Sequence, residues 1–67
     1  MKLYLNGEEK TVQSLATLGD LLAHYEINPK TVVVERNAVV VSRQNLAATA
    51  LAEGDKIEIV QFVGGGK

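Results

Sequence analysis

The 67-residue chain has no cysteine, one histidine, one proline and almost no net charge. Without cysteine, neither a disulfide framework nor a zinc–thiolate site can staple so small a domain. Seven Lys and Arg against eight Asp and Glu leave a charge of −1, which is not the basic footprint of a nucleic-acid binder. No apolar run approaches the roughly 20 residues of a membrane span. The opening MKLYLNGEEK turns polar after five residues, unlike a signal peptide. The expected location is therefore cytoplasmic.

What is present is an ordinary globular composition, 46% hydrophobic and 22% charged. At this length we expect one domain, over residues 1–63, with one small core that buries roughly 60% of the unfolded surface. In KLYLNGEEKTV, Leu3 and Leu5 alternate with Lys2 and Tyr4, and Asn6-Gly7 supplies a tight turn, so a hairpin returning over about Glu9 to Val12 is expected. In TLGDLLAHYEINP, Thr17 and Asp20 have capping-box spacing, and Leu18, Leu21, Leu22 and Tyr25 form one helical stripe. Pro29 pushes Asn28 out of helical angles and closes that element. Six of the twelve residues in TVVVERNAVVVS are valine, which predicts two strands around the turn Glu35-Arg36-Asn37-Ala38. Residues 43–55 carry a weaker helical signal and then an EGD turn, before KIEIV alternates as a last strand.

The order strand, strand, helix, strand, strand, strand predicts an α+β fold. One mixed sheet of four to five strands packed on one main helix fits it, the β-grasp layout of ubiquitin-like proteins. One helix covers one sheet face, yet the valine strands are apolar on both: Val33 points opposite to Val32 and Val34, and Val40 opposite to Val39 and Val41. The pattern leaves two outcomes open. Either part of one face stays bare as a partner surface, or residues 43–55 fold over it.

Few groups are suited to catalysis. His24 falls near Asp20 on the polar side of the helix, where a solvated i, i+4 contact is the ordinary reading. Ser14 and Ser42 have no base nearby in sequence, and no cluster has metal-ligand spacing. Glu8, Glu9, Glu53 and Asp55 read as solubility charges in turns, and Asn37 and Asn45 as turn formers. Gly64-Gly65-Gly66 is no phosphate loop, because no helix follows it. The expectation is a protein that is not itself an enzyme. Glycine has no Cβ, so a glycine tail over residues 64–67 suits passage through a slot too narrow for other residues. Four or five extended residues reach about 15 Å.

VVVERN in mid-chain, LAEGDKIEIV after it and FVGGG near the end, with LNGE near the start, together resemble the ThiS family of sulfur carriers in thiamine biosynthesis. The resemblance covers nearly the whole chain. It implies a cosubstrate whose C-terminal glycine carboxylate, here that of Gly66, is adenylated by an E1-like enzyme, ThiF. That enzyme consumes the ATP; the carrier itself binds no cofactor. Sulfur mobilised by a cysteine desulfurase then makes a thiocarboxylate, which thiazole synthase, ThiG, consumes. On this reading Gly64 and Gly65 thread into the partner. Phe62 and Val63 anchor the tail, and the apolar sheet face docks, either Val32, Val34, Val39 and Val41 or the opposite set. Carriage of sulfur for molybdopterin or another metabolite, or a non-covalent ubiquitin-like module, are the alternatives. The family ends on glycine, whereas Lys67 follows Gly66 here, as a residue to be clipped, an appended residue or a block on activity.

Overall fold

The computed structural model describes residues 1–62. Strand β1 (Lys2–Leu5) and β2 (Glu8–Thr11) form the first hairpin. Helix α1 (Leu18–His24) follows, then a short 3₁₀ turn at Pro29–Thr31. Strands β3 (Val32–Arg36) and β4 (Val39–Val41) form the second hairpin. A 3₁₀ segment at Arg43–Ala48 precedes β5 (Lys56–Gln61). The five strands form one mixed sheet in the order β2-β1-β5-β3-β4. β1 and β5 run parallel, with Leu5 opposite Ile57, and the other pairs are antiparallel. The expected β-grasp architecture is the one observed, at the upper end of the expected strand number.

Local chemistry explains each element. Thr17 Oγ1 accepts from the Asp20 N–H at 3.1 Å, and Asp20 Oδ2 accepts from the Thr17 N–H at 3.1 Å, so the capping box closes as the spacing predicts. Asp20 Oδ2 also accepts from the Ala16 N–H at 3.0 Å; these bonds, from Ala16 first and then Thr17, hold its carboxyl below the usual range. The carboxylate is thus committed to the cap rather than to His24, whose ring lies edge-on to Tyr25 at 4.8 Å. Leu18, Leu21 and Leu22 are buried, and Tyr25 packs against the same core. Leu3, Val34 and Ile57 meet them from the sheet, each burial of this kind contributing about 1.5–3 kcal/mol.

Residues 43–55 fold over the helix side, not over the second sheet face. Leu46 and Leu51 join the core, and Ala47 comes so near α1 that a Cβ at Gly19 would lie 3.3 Å from the Ala47 Cα. The second hairpin turn is also tighter than the sequence suggested. Glu35 and Arg36 stay in β3, leaving a two-residue loop of Asn37 and Ala38, both at positive φ (52° and 71°). This is the primed geometry that matches strand twist, and alanine adopts it under strain.

Asp55 is the largest departure from expectation. It is only 5% exposed, so it is no solubility charge. Its carboxylate accepts from Arg36 Nε at 2.8 Å, Asn37 Nδ2 at 3.0 Å and the Ala52 N–H at 2.9 Å. Burial pushes its carboxyl up, but those three donors and the Arg36 charge outweigh that, and the net direction is down. The other acidic residues also have definite places. Glu53 accepts from the Lys2 N–H, while Glu8 and Glu9 sit in β2 beside Lys10 and Lys2.

Because its folded pKa is depressed, Asp55 contributes stability above the ordinary aspartate value of about 3.9 and loses it as pH falls through the lower folded value. Asp55→Asn is expected to cost about 2 kcal/mol at pH 7, lowering Tm by roughly 8–16 °C. In thermal melts repeated from pH 7 to pH 2, the gap between wild type and variant should close only below about pH 4. Ala38→Gly relieves the strained loop and should raise Tm by about 4 °C, less than the full strain energy because glycine also loosens the unfolded chain.

Candidate docking face

Cross-strand partners in a sheet project to the same face, so register alone assigns the two sides. Val34 is opposite Val41 on β4 and Ile59 on β5, and all three lie on the helix side. Val33 is opposite Val60, and Glu35 is opposite both Val40 and Glu58. These five residues lie on the side that no helix covers. Val33, Val40 and Val60 are 40%, 62% and 57% exposed, a bare valine patch across three strands. Towards β1 and β2 the same face becomes polar, with Tyr4 in register with Lys56 and Lys2 3.6 Å from Glu9.

The structure separates the two valine sets that the sequence left open. Val34 is 2% exposed, and Val32 and Val41 pack against the core, so a docking partner cannot reach Val34 without unfolding the domain. Val39 shares their side by alternation but is 64% exposed. It sits at the turn end of an edge strand, where its cross-strand neighbour Arg36 turns to Asp55 rather than to apolar side chains. The opposite set, Val33 and Val40, forms the open face, and Val60 joins it. Sequence reasoning missed Val60 because a terminal IVQF run gives no sign of which neighbour it pairs with. The register Val33↔Val60 supplies that sign.

β5 carries this face towards the chain's C-terminal segment. Its edge beyond Ile57 is held by a side chain in place of a strand: Asn6 Oδ1 accepts from the Ile59 N–H at 2.8 Å, and Asn6 Nδ2 donates to the Ile59 carbonyl at 3.3 Å. Asn37 does the same near the other end, its Oδ1 accepting from the Lys56 N–H at 3.0 Å. The asparagines of both hairpin turns thus clamp β5. Phe62, 39% exposed, extends the ladder by donating its N–H to the Thr31 carbonyl at 3.1 Å. Val63, Gly64, Gly65 and Gly66, to which the sequence assigned anchoring, threading and reaction, lie outside the described residues, as does Lys67.

Other features are less suited to chemistry. Among the described residues no three His, Cys, Asp or Glu side chains gather as metal ligands would, and no helix is long and apolar enough to cross a membrane. A hollow of about 410 Å³ between α1 and the 3₁₀ segment is lined by Leu22, Ile27, Pro29, Leu46 and Arg43, without a nucleophile or a base.

The ThiS family model matches residues 3–66. The sulfur carrier protein ThiS of Bacillus subtilis (strain 168) is 43% identical over 65 residues, covering 96% of this chain and 98% of that protein. The thiazole synthase of Magnetococcus marinus is 46% identical over 67 residues, all of this chain but 21% of that protein. That of Paramagnetospirillum magneticum is 42% identical over 66 residues and 20% of its length. The chain therefore spans about a fifth of the length of the thiazole synthases it matches. The crystal structure of the thiamine biosynthesis protein ThiS from Geobacter metallireducens superposes with a TM-score of 0.83 at 33% identity, covering 98% of this chain and all of that one. With a β-grasp sheet and a family match running from Leu3 to Gly66, the chain belongs to the ThiS family.

Proposed function

We propose that this chain is a sulfur carrier for thiazole formation in thiamine biosynthesis, with Gly66 as the acyl end. The observation that carries the reading is the continuity of β5. The strand that contributes Val60 to the bare face leads directly into Phe62, Val63 and the glycine run. A docking surface and a slim reactive end on one continuous stretch of sequence are what a protein cosubstrate needs. The full-length likeness to the B. subtilis carrier supports the same reading, as do the thiazole synthases that contain a stretch like this chain.

A carboxylate is a poor electrophile until one oxygen gains a leaving group. The partner, an E1-like enzyme such as ThiF, supplies it. The Gly66 carboxylate attacks the α-phosphorus of ATP, pyrophosphate leaves, and an acyl adenylate forms. A persulfide from a cysteine desulfurase system then displaces AMP to give an acyl disulfide, and a thiol of that system cleaves its S–S bond, leaving the thiocarboxylate on Gly66 and itself entering a disulfide. Thiazole synthase receives the resulting thiocarboxylate. The carrier's share is to dock through Val33, Val40 and Val60 and to present the tail, with no cysteine of its own to divert the sulfur. Lys67 in amide linkage blocks the Gly66 carboxylate, so the cycle begins with hydrolysis of the Gly66–Lys67 bond.

Intact mass of the untagged protein from its host, with fragmentation of the C-terminal peptide, tests this reading. A population ending at Gly66, part of it heavier by the exchange of one oxygen for sulfur, is expected. A chain that always ends unmodified at Lys67, even under thiamine starvation, overturns it. Deletion of residues 65–67 should abolish thiocarboxylate formation with Tm unchanged, whereas a non-covalent module would keep its function.

The two valine faces should respond differently to charge. Val40→Asp is expected to keep the circular-dichroism spectrum and Tm within a few degrees while losing capture of the adenylating enzyme. Val34→Asp buries an unpaired carboxylate and should unfold the domain.

A further inference from the structure

The bare valine patch is not uniformly apolar. In the register β5-β3-β4, Val60 and Val33 make one cross-strand row, and Glu58, Glu35 and Val40 make the next. Glu35 therefore lies between Val33, two residues before it on the same strand, and Val40, directly across from it. It is half-buried there, and the exposed carboxylate of Glu58 stands directly opposite on its other side. Like charges placed directly across two strands oppose pairing. Among the described residues, the ion pairs join Lys2 to Glu9, Lys10 to Glu8 and Arg36 to Asp55, and none includes Glu35 or Glu58. Lys56 shares the adjoining hollow with both without forming an ion pair to either.

This arrangement has a definite consequence for binding. A partner that covers Val33, Val40 and Val60 also covers Glu35, which cannot stay in water while its neighbours leave it. A carboxylate taken out of water without a counter-charge costs more than a valine gains by burial. A partner that brings a cation to the pair cancels that cost and relieves the Glu35–Glu58 repulsion in the same contact. Two carboxylates on adjacent strands suit a planar guanidinium fork better than a compact, strongly hydrated ammonium.

We propose that Glu35 and Glu58 form an acidic notch in the docking face that selects partners presenting an arginine beside an apolar patch. The proposal rests on the docking role given above to the valine face, and it adds the charge chemistry of the partner. The notch sets which proteins dock, while the valines supply the buried area.

Binding of the full chain to the E1-like adenylating enzyme of the same organism, and separately to its thiazole synthase, tests this by calorimetry at 50 and 300 mM NaCl. For at least one enzyme, Glu35→Lys and Glu58→Lys are each expected to weaken binding tenfold or more at low salt. Wild-type binding should weaken several-fold at high salt. Both variants should melt no lower than wild type, because each removes a like-charge opposition, so the loss cannot come from damage to the fold. If both reversals leave affinity for both enzymes unchanged while Val40→Asp abolishes it, the notch is overturned and the carrier reading stands. If wild type binds neither enzyme, both fall together.

Discussion

The buried carboxylate of Asp55 joins parts of the chain that hydrophobic packing alone would leave loosely related. It receives Arg36 and Asn37 from the second hairpin and the N–H of Ala52 from the turn before β5. Next to it, the Asp55 carbonyl accepts from the Tyr4 N–H, and Gly54 donates its N–H to the Lys2 carbonyl. One turn thereby fixes β1 on one side of β5 and β3 on the other. A buried charge is tolerable here because three donors, one of them a cation, point at it, and a lost donor would leave it costly. The registers of β1 and β3 on β5 meet beside that point, Tyr4 opposite Lys56 and Arg36 opposite Ile57.

Asparagine plays a parallel role at smaller scale. Asn6 and Asn37 adopt positive φ in their hairpin turns, which is the usual reason for their presence. Each also turns its amide onto the backbone of β5, standing in for a strand residue where the neighbouring strand has ended. The two turns therefore position the middle strand as well as reversing the chain, and they do so at Lys56 and at Ile59, near its beginning and past its midpoint.

Much of this was legible in the chain. The capping box, the leucine stripe and the Asn-Gly hairpin are local patterns whose physics is complete within a few residues. A sheet of four to five strands grasping one helix followed from the order of the elements, and the structure has five. Asp55 was misread because burial is a tertiary property: an acidic residue after Glu-Gly looks like any surface turn until Arg36, nineteen positions earlier, is brought beside it. The same limit applied to the open face. Alternation showed that Val33 and Val40 oppose Val34 and Val41, but only the packing of Leu46 and Leu51 on the helix side decides which set is bare. The family resemblance read from the ERN and EGD segments was sound. Arg36 and Asn37, at the heart of the first segment, both donate to Asp55 of the second.

Among the described residues, the strand at the centre of the sheet is the last one in sequence. β5 pairs with β1 on one edge and β3 on the other, so neither hairpin has its lasting neighbour until Gln61 has been made. During synthesis the earlier strands can collapse only around an empty middle position, and the closing contacts span most of the chain. Closure of the sheet therefore waits on β5, however early the two hairpins form. A chain cut before β5 would hold two hairpins with no strand to join them, so the segment that leads into the glycines is also the one that closes the sheet.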